Sequence, residues 1–175
     1  MTKDRYEVIL AGSGGQGLVV SGIMLAEAAM LEERNAVQTV SYGIASRGGF
    51  SMAEVIIDSQ EIIFQQVQKA DMVLILTEEA MEKLQATAEQ GALIFYDTTL
   101  LKEQKRARFY GRPFTAMAGK MGHVGMANVI ALGYMAQNTG VVATESLAEV
   151  IRNRFSGKVR DSNLKALQAG IDLAA

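Results

Sequence analysis

The stretch YEVILAGSGGQGLVVSGIMLAEAAMLEER, residues 6–34, decides the fold. Its opening residues are mostly apolar and predict a buried strand. Four glycines follow within residues 12–17, and apolar residues then recur at the spacing of a helix. A strand that runs through a glycine turn into a helix is typical of α/β proteins. The stretch therefore predicts a Rossmann-like first β–α turn.

Strands continue to alternate with helices along the rest of the chain. Apolar and β-branched runs predict strands over 36–43, 51–59, 71–77 and 92–100, with an edge-like strand before Pro113. Helical spacing predicts helices over 17–34, 78–91, 122–140, 144–155 (N-cap Thr144) and 161–174. Residues 61–70 fit the start of a strand followed by a helical turn. This alternation predicts one α/β domain over residues 1–175, a three-layer α/β/α arrangement with a mostly parallel sheet and a helical C-terminal third.

The composition excludes several classes of function. The 175 residues contain no cysteine, which excludes disulfides, thiolate nucleophiles and cysteine-ligated iron–sulfur clusters on this chain. One histidine, His123, leaves little room for a zinc site, and it is expected to cap a helix or lie in an interface. The formal net charge of −2 offers no electrostatic footprint for nucleic acid or an anionic membrane. A polar N-terminus and the lack of a long apolar run favour a cytoplasmic protein.

The glycine turn has the spacing of a dinucleotide fingerprint. Gly12, Gly14 and Gly17 fit G-x-G-x-x-G between a strand and a helix, where free N–H groups at the helix start suit a phosphate. The fingerprint also needs an acidic residue at the end of the second strand, but Ser41 and Tyr42 stand there. A stand-alone nucleotide-binding protein is therefore the alternative hypothesis, beside a turn that serves only the fold.

A second loop also suits an anion. Arg47, Gly48 and Gly49 follow the second strand, and an arginine fork on a glycine-bearing turn can bind phosphate or carboxylate. If the two loops follow neighbouring parallel strands, they meet at the carboxyl edge of the sheet, where α/β proteins usually bind ligands.

Three motifs in order resemble a known family. GSGGQG near the N-terminus, SYG…SRGG…AEV about thirty residues later and NVIALG in a late helix resemble the gamma subunit of 2-oxoacid:ferredoxin oxidoreductases. The resemblance covers nearly the whole chain, down to SNLKALQAG. Ile44 and Ala45 depart from it, because family members usually carry a proline and a glutamate between SYG and RGG.

The resemblance implies a subunit that is inactive alone. The family's complex decarboxylates a 2-oxoacid on thiamine diphosphate with magnesium, passes electrons through iron–sulfur clusters to ferredoxin, and releases acyl-CoA and carbon dioxide. Those cofactors are expected on alpha and beta subunits and a ferredoxin-like subunit, with coenzyme A as co-substrate. The sequence leaves open whether the isolated chain forms a homodimer.

No catalytic or metal-binding residue is expected on this chain, and its two loops supply the candidate contacts with coenzyme A or with partner subunits. These residues are Gly12, Ser13, Gly14, Gly15, Gln16, Gly17, Ser41, Tyr42, Gly43, Arg47, Gly48 and Gly49. Gly125 and Gly133 are expected to allow close helix packing, because glycine inside a helix is otherwise costly. Asn128 is expected to make a buried polar contact.

Overall fold

A six-stranded mixed sheet forms the centre of the molecule. The computed structural model describes residues 3–43 and 48–174. The strands are β1 (Arg5–Ser13), β2 (Asn35–Tyr42), β3 (Phe50–Asp58), β4 (Met72–Ile75), β5 (Leu93–Asp97) and β6 (Phe109–Arg112). Their order is β2-β3-β1-β4-β5-β6. Only β3 runs against the others, since β1, β4, β5 and β6 pair in parallel and β3 is antiparallel to both β1 and β2.

The helices are distributed unequally over the two faces of the sheet. They are α1 (Leu18–Leu31), α2 (Glu78–Leu84), α3 (Phe114–Lys120), α4 (Ala127–Thr139), α5 (Thr144–Arg154) and α6 (Gly157–Asp172). One face packs against residues of α1, α3, α4, α5 and α6. The other packs against α2 and a 3-10 helix over Gln85–Gln90. The three-layer α/β prediction is confirmed, with a thin second helical layer.

Residues 61–70 form neither the strand nor the helical turn that the sequence predicts. The carboxylate of Glu7 accepts hydrogen bonds from the amides of Gln68 (2.7 Å) and Lys69 (2.9 Å), so these amides are satisfied by a side chain instead of a ladder. Ile63 and Phe64 are exposed, at 89% and 51%. The prediction of a strand was wrong because it took these two apolar residues as buried, whereas both are exposed.

Some helix boundaries also differ from those predicted. Ala143, not Thr144, is the N-cap of α5, and Thr144 is its first residue. The last helix starts earlier than predicted, at Gly157, and α3 was not predicted. Helix α4 begins at Ala127, after a 3-10 turn over Val124–Met126. Local side-chain signals mark such ends weakly, and tertiary contacts shift them.

Glu7 makes the stability of the fold sensitive to acid. Its side chain is 9% exposed and accepts two hydrogen bonds from the guanidinium of Arg5 (2.9 and 2.8 Å) besides those from the two amides. Burial alone raises the pKa of the Glu7 carboxyl, but the hydrogen bonds from the Lys69 amide, Arg5 and the Gln68 amide outweigh it and hold this pKa below its ordinary value. The ionised form is therefore the one that stabilises the native state.

We expect Glu7→Gln to lower the free energy of unfolding by about 2 kcal/mol at neutral pH. Because the native pKa is lowered, the contribution of Glu7 is present above the ordinary glutamate pKa of about 4.3 and is lost as the pH falls through the native value. Urea unfolding at neutral pH and at successive steps below the ordinary glutamate pKa checks this. The gap between the native chain and the variant should shrink toward zero at the acid end. Glu82→Gln, at an exposed position of α2, is the control, and a gap independent of pH would contradict the assignment.

Candidate functional site

The two glycine loops meet at one edge of the sheet. Ser13 at the end of β1 lies opposite Phe50 at the start of β3, and the Gly14 amide donates to the Gly49 carbonyl at 2.9 Å. The loops do not follow neighbouring parallel strands, as the sequence argument supposed. Antiparallel β3 lies between β1 and β2 and carries the second loop back to the first. The two loops do lie together, but the antiparallel pairing of β3 with β2 and β1 brings them there.

The side chain of Gln16 fills the glycine turn. Its Oε1 accepts from the Ser13 amide (2.8 Å), and its Nε2 donates to the carbonyl of Leu76 at the end of the β4 segment (3.2 Å). A Cβ on Gly12 would collide with this same Oε1. A glycine at position 12 lets the Gln16 amide lie against the backbone of the turn, where the fingerprint glycines of a dinucleotide fold let a pyrophosphate approach.

Gly17 joins the turn to a distant helix. It has a φ of +74°, and its carbonyl accepts a hydrogen bond from Asn128 Nδ2 (3.1 Å) near the start of α4. Asn128 is buried, and its Oδ1 accepts from the Val129 amide (2.8 Å). The prediction of a buried polar contact for Asn128 is confirmed, and the structure shows its partner to be the glycine loop.

We expect Gly17→Ala to lower the free energy of unfolding by about 2 kcal/mol, because a left-handed φ strains alanine and its Cβ would collide with the Asn128 amide. Gly15→Ala is the matched control, since Gly15 also has a positive φ (+93°) but no atom lies within 4 Å of its Cβ position. It should cost about 1 kcal/mol from backbone strain alone. Denaturant unfolding of both variants checks this, and equal losses would show that the Asn128 contact contributes nothing.

The other candidate residues are spread over both loops and the end of β2. Gly14, Gly15 and Gly48 are exposed at the edge. Ser41 and Tyr42 end β2, which is separated from β1 by β3, so they lie two strand spacings, about 10 Å, from the glycine turn. Gly43 donates its amide to the Phe50 carbonyl (2.7 Å). Arg47, Ile44 and Ala45 lie outside the described residues.

A crevice of about 240 Å³ opens beside the turn, lined by Gly15, Gln16, Leu76, Leu100, Thr115, Val124, Gly125 and Ala127. It lies at the carboxyl ends of β1, β4 and β5, where α1 and α2 leave the sheet toward opposite faces. Such a point is where open α/β sheets bind ligands. The wall that carries Thr115 is held by a residue that the sequence analysis missed.

That residue is Asp97, which ends β5 and is fully buried. Its carboxylate accepts from the Thr99 amide (2.9 Å), the Thr115 amide (2.9 Å) and the Thr115 hydroxyl. Asp97 thereby holds the first turn of α3 against the end of β5. An aspartate placed directly after a buried apolar run was the available signal.

His123 caps the 3-10 turn by accepting from the Gly125 amide at its Nδ1 (3.0 Å), as its sequence position indicates. Within residues 3–43 and 48–174, no group of three or more His, Cys, Asp or Glu side chains is placed to hold a metal ion. The fold and the site thus define an α/β protein with a glycine-rich, exposed edge.

Comparison with known proteins identifies the family. A family model described as pyruvate ferredoxin/flavodoxin oxidoreductase matches residues 7–173. The chain belongs to this family, as a gamma-type subunit of a multi-subunit 2-oxoacid:ferredoxin oxidoreductase, which confirms the resemblance.

Relatives agree over nearly their full length. The 2-oxoglutarate synthase subunit KorC of Methanocaldococcus jannaschii is 33% identical, covering 98% of this chain and 95% of the relative. The pyruvate/ketoisovalerate oxidoreductases common subunit gamma of Thermococcus litoralis is 30% identical, covering 95% of each. The crystal structure of a keto/oxoacid ferredoxin oxidoreductase gamma subunit from Geobacter sulfurreducens is 33% identical with a TM-score of 0.82, covering 97% of this chain and 98% of that one.

The hypothesis of a stand-alone dinucleotide-binding protein is not supported. Antiparallel β3 stands where a dinucleotide fold has its second parallel strand, and Gln16 fills the turn. In the part of the chain that the structure covers, no helix is long and apolar enough to cross a membrane.

Proposed function

We propose that this chain completes a coenzyme A-dependent complex in which a 2-oxoacid is oxidatively decarboxylated to acyl-CoA and carbon dioxide while ferredoxin is reduced. Thiamine diphosphate, magnesium and iron–sulfur clusters belong to partner chains in this proposal, namely the alpha and beta subunits and a ferredoxin-like subunit. The isolated chain is inactive. Its glycine edge contacts coenzyme A, beside the partner subunits.

The similarity to separately encoded gamma subunits carries this proposal. The subunit named for a 2-oxoglutarate enzyme and the gamma subunit named for pyruvate and ketoisovalerate enzymes match at 30–33% identity over almost the whole of each chain. One gamma fold therefore accompanies different 2-oxoacids among the relatives. We infer that partner chains select the 2-oxoacid and that this chain has a task shared by all the complexes.

Two features of the glycine edge support contact with coenzyme A. Gly14, Gly15 and Gly48 expose backbone without side chains, so a phosphate can approach closely. The start of α1 is adjacent, and a helix N-terminus favours an anion. Because Gln16 fills the turn from inside, the phosphate lies on the outer side, against Gly14 and Gly15.

An anaerobic affinity purification of the tagged chain from its native cells tests the assignment to a complex. We expect thiamine-binding and iron–sulfur subunits to co-purify, and the eluate to reduce a viologen dye with 2-oxoglutarate, pyruvate or ketoisovalerate only when coenzyme A is present. The chain purified alone should show no activity. Recovery of a lone protein with a bound nucleotide would overturn the proposal.

A matched pair of variants in the purified complex tests the contact with coenzyme A. Gly15→Asn and Gly15→Asp have nearly the same shape and both tolerate a positive φ, but only aspartate adds a negative charge. With a phosphate about 4 Å away, the aspartate should raise the KM for coenzyme A about fivefold relative to asparagine, with kcat unchanged. Equal KM values would place coenzyme A elsewhere and leave the edge to subunit contacts.

A further inference from the structure

Strand β2 is an open edge of the sheet. In the described sheet it pairs with β3 alone. The Gly43 amide donates to Phe50, and Gly43 continues the register of Tyr42 with Ser51. Antiparallel pairs alternate between hydrogen-bonded and non-bonded positions, so the N–H and C=O groups of residues 35, 37, 39 and 41 point toward β3. Those of Ala36, Gln38, Val40 and Tyr42 point outward.

This edge lacks the features that usually protect one. The strand reads NAVQTVSY, with no charged residue and no proline over eight positions. The opposite edge, β6, has only four residues, ends at Arg112 and is preceded by Arg108. Arg34 likewise precedes β2, so the protections that β6 has and β2 lacks are short length and a charged residue within the strand itself. A long, neutral open edge is suited to pairing with another strand.

The strand is also complementary to a second copy of itself. In an antiparallel pair centred on Thr39, all four outward-facing residues find outward-facing partners: Ala36 opposite Tyr42, and Gln38 opposite Val40. Thr39 then lies opposite Thr39 at a non-bonded position, a favourable cross-strand pair. No other register pairs all four residues within the strand.

Side chains at the ends of β2 fit the same arrangement. Ala36 packs toward the core on the α1 side and Gln38 donates to the Val19 carbonyl of α1 (3.0 Å), so by alternation Tyr42 lies on this side too. Tyr42 is 70% exposed. Next to Ala36 is a hollow of about 460 Å³ with both apolar and charged walls, and its apolar part is formed by Met30, which is 63% exposed, and Ile62. Glu33, Arg34 and Glu61 line the rest of it. In the register centred on Thr39, the Tyr42 ring of one copy enters this hollow of the other.

We propose that two copies of this chain associate through β2, antiparallel about a two-fold axis at Thr39, and form one continuous twelve-stranded sheet from the two six-stranded ones. Tyr42 of each copy docks beside Ala36 and Met30 of the other. This association goes beyond the proposed function and does not depend on it, because it uses only the edge of the sheet.

Cysteine cross-linking of the full chain tests the register without background, since the chain has no cysteine of its own. Thr39 residues would have their Cα atoms about 4.5 Å apart, which a disulfide can span. Thr39→Cys should cross-link under mild oxidation about tenfold faster than Val124→Cys, a control on a 60% exposed residue in the 3-10 turn before α4. Val37→Cys and Ser41→Cys should each form no disulfide-linked dimer alone, because like positions are about 14 Å apart, yet should cross-link when mixed.

A proline variant tests the association itself. The Val40 amide points outward, so Val40→Pro removes no bond to β3 but blocks the edge. We expect light scattering to report a dimer for the native chain and a monomer for this variant, with equal circular dichroism. A monomeric native chain at high concentration would overturn the proposal, and so would cross-linking of Thr39→Cys no faster than that of Val124→Cys. The cross-linking result stands even if the proline variant does not fold.

Discussion

Gly170→Ala should lower the free energy of unfolding by about 3 kcal/mol, although the same change inside an exposed helix would stabilise it. Helices α4 and α6 cross with their backbones in contact. A Cβ on Gly170 would lie 2.9 Å from the Ile130 carbonyl carbon and 2.9 Å from the Tyr134 amide nitrogen, and closer still to the Ile130 oxygen. These are backbone atoms, so no rotamer change relieves the contact, and the two helices must separate.

Gly119→Ala in α3 is the matched control. There the added Cβ would meet only Val124 Cγ1 at 3.7 Å, an ordinary contact, so alanine should raise the free energy of unfolding by up to about 1 kcal/mol. Gly133→Ala, on the opposite side of the crossing, should behave like Gly170→Ala because its Cβ would meet the Leu167 carbonyl. Urea unfolding measures all three. A stabilised Gly170→Ala variant would show that α4 and α6 are farther apart than described.

Asp97→Asn should also cost about 3 kcal/mol. The carboxylate serves three donors, the amides of Thr99 and Thr115 and the Thr115 hydroxyl. One carboxylate oxygen accepts from the Thr99 amide and the other from both Thr115 donors. Asparagine has the same shape but replaces one of these oxygens with an NH₂ group, so the donors facing that group lose their acceptor. Because Asp97 holds the first turn of α3, hydrogen exchange in α3 should rise as well.

Thr115→Val separates the two contributions at Asp97. It removes the hydroxyl and keeps the amide donor, so it should cost about 1 kcal/mol. Thermal and urea unfolding of both variants provide the comparison. If Asp97→Asn proves as mild as Thr115→Val, the carboxylate is not the group that anchors α3.

Much of the fold could be predicted because its signals are local. The buried runs at 71–77 and 92–100 each contain a strand, and the glycine turn after residue 11 precedes a helix as expected. The prediction was wrong at residues 61–70, where Ile63 and Phe64 imitate a strand while Glu7, more than fifty positions away, supplies the acceptor for two amides. The spacing of apolar residues within a segment carries no information about a hydrogen-bond partner so distant in the chain.

The candidate site was predictable in part. The motifs led to the glycine turn, and the structure brings Gly48 and Gly49 to it. Ser41 and Tyr42 were assigned to the same site but lie on the far side of β3. Asp97 was missed, because its importance depends on Thr115, eighteen positions later and in a helix that the sequence did not predict.

By itself, the sequence determined most of the order of strands and helices, with α3 and residues 61–70 as the exceptions. It also determined the absence of cysteine chemistry and the family, because these depend on composition and on short motifs. Only the tertiary structure decided that β3 lies antiparallel between β1 and β2, that Gln16 fills the glycine turn, that α4 and α6 cross at Gly133 and Gly170, and that β2 is left as an open edge. Each of these depends on contacts between residues distant in the chain, whose free energies do not appear in any local pattern.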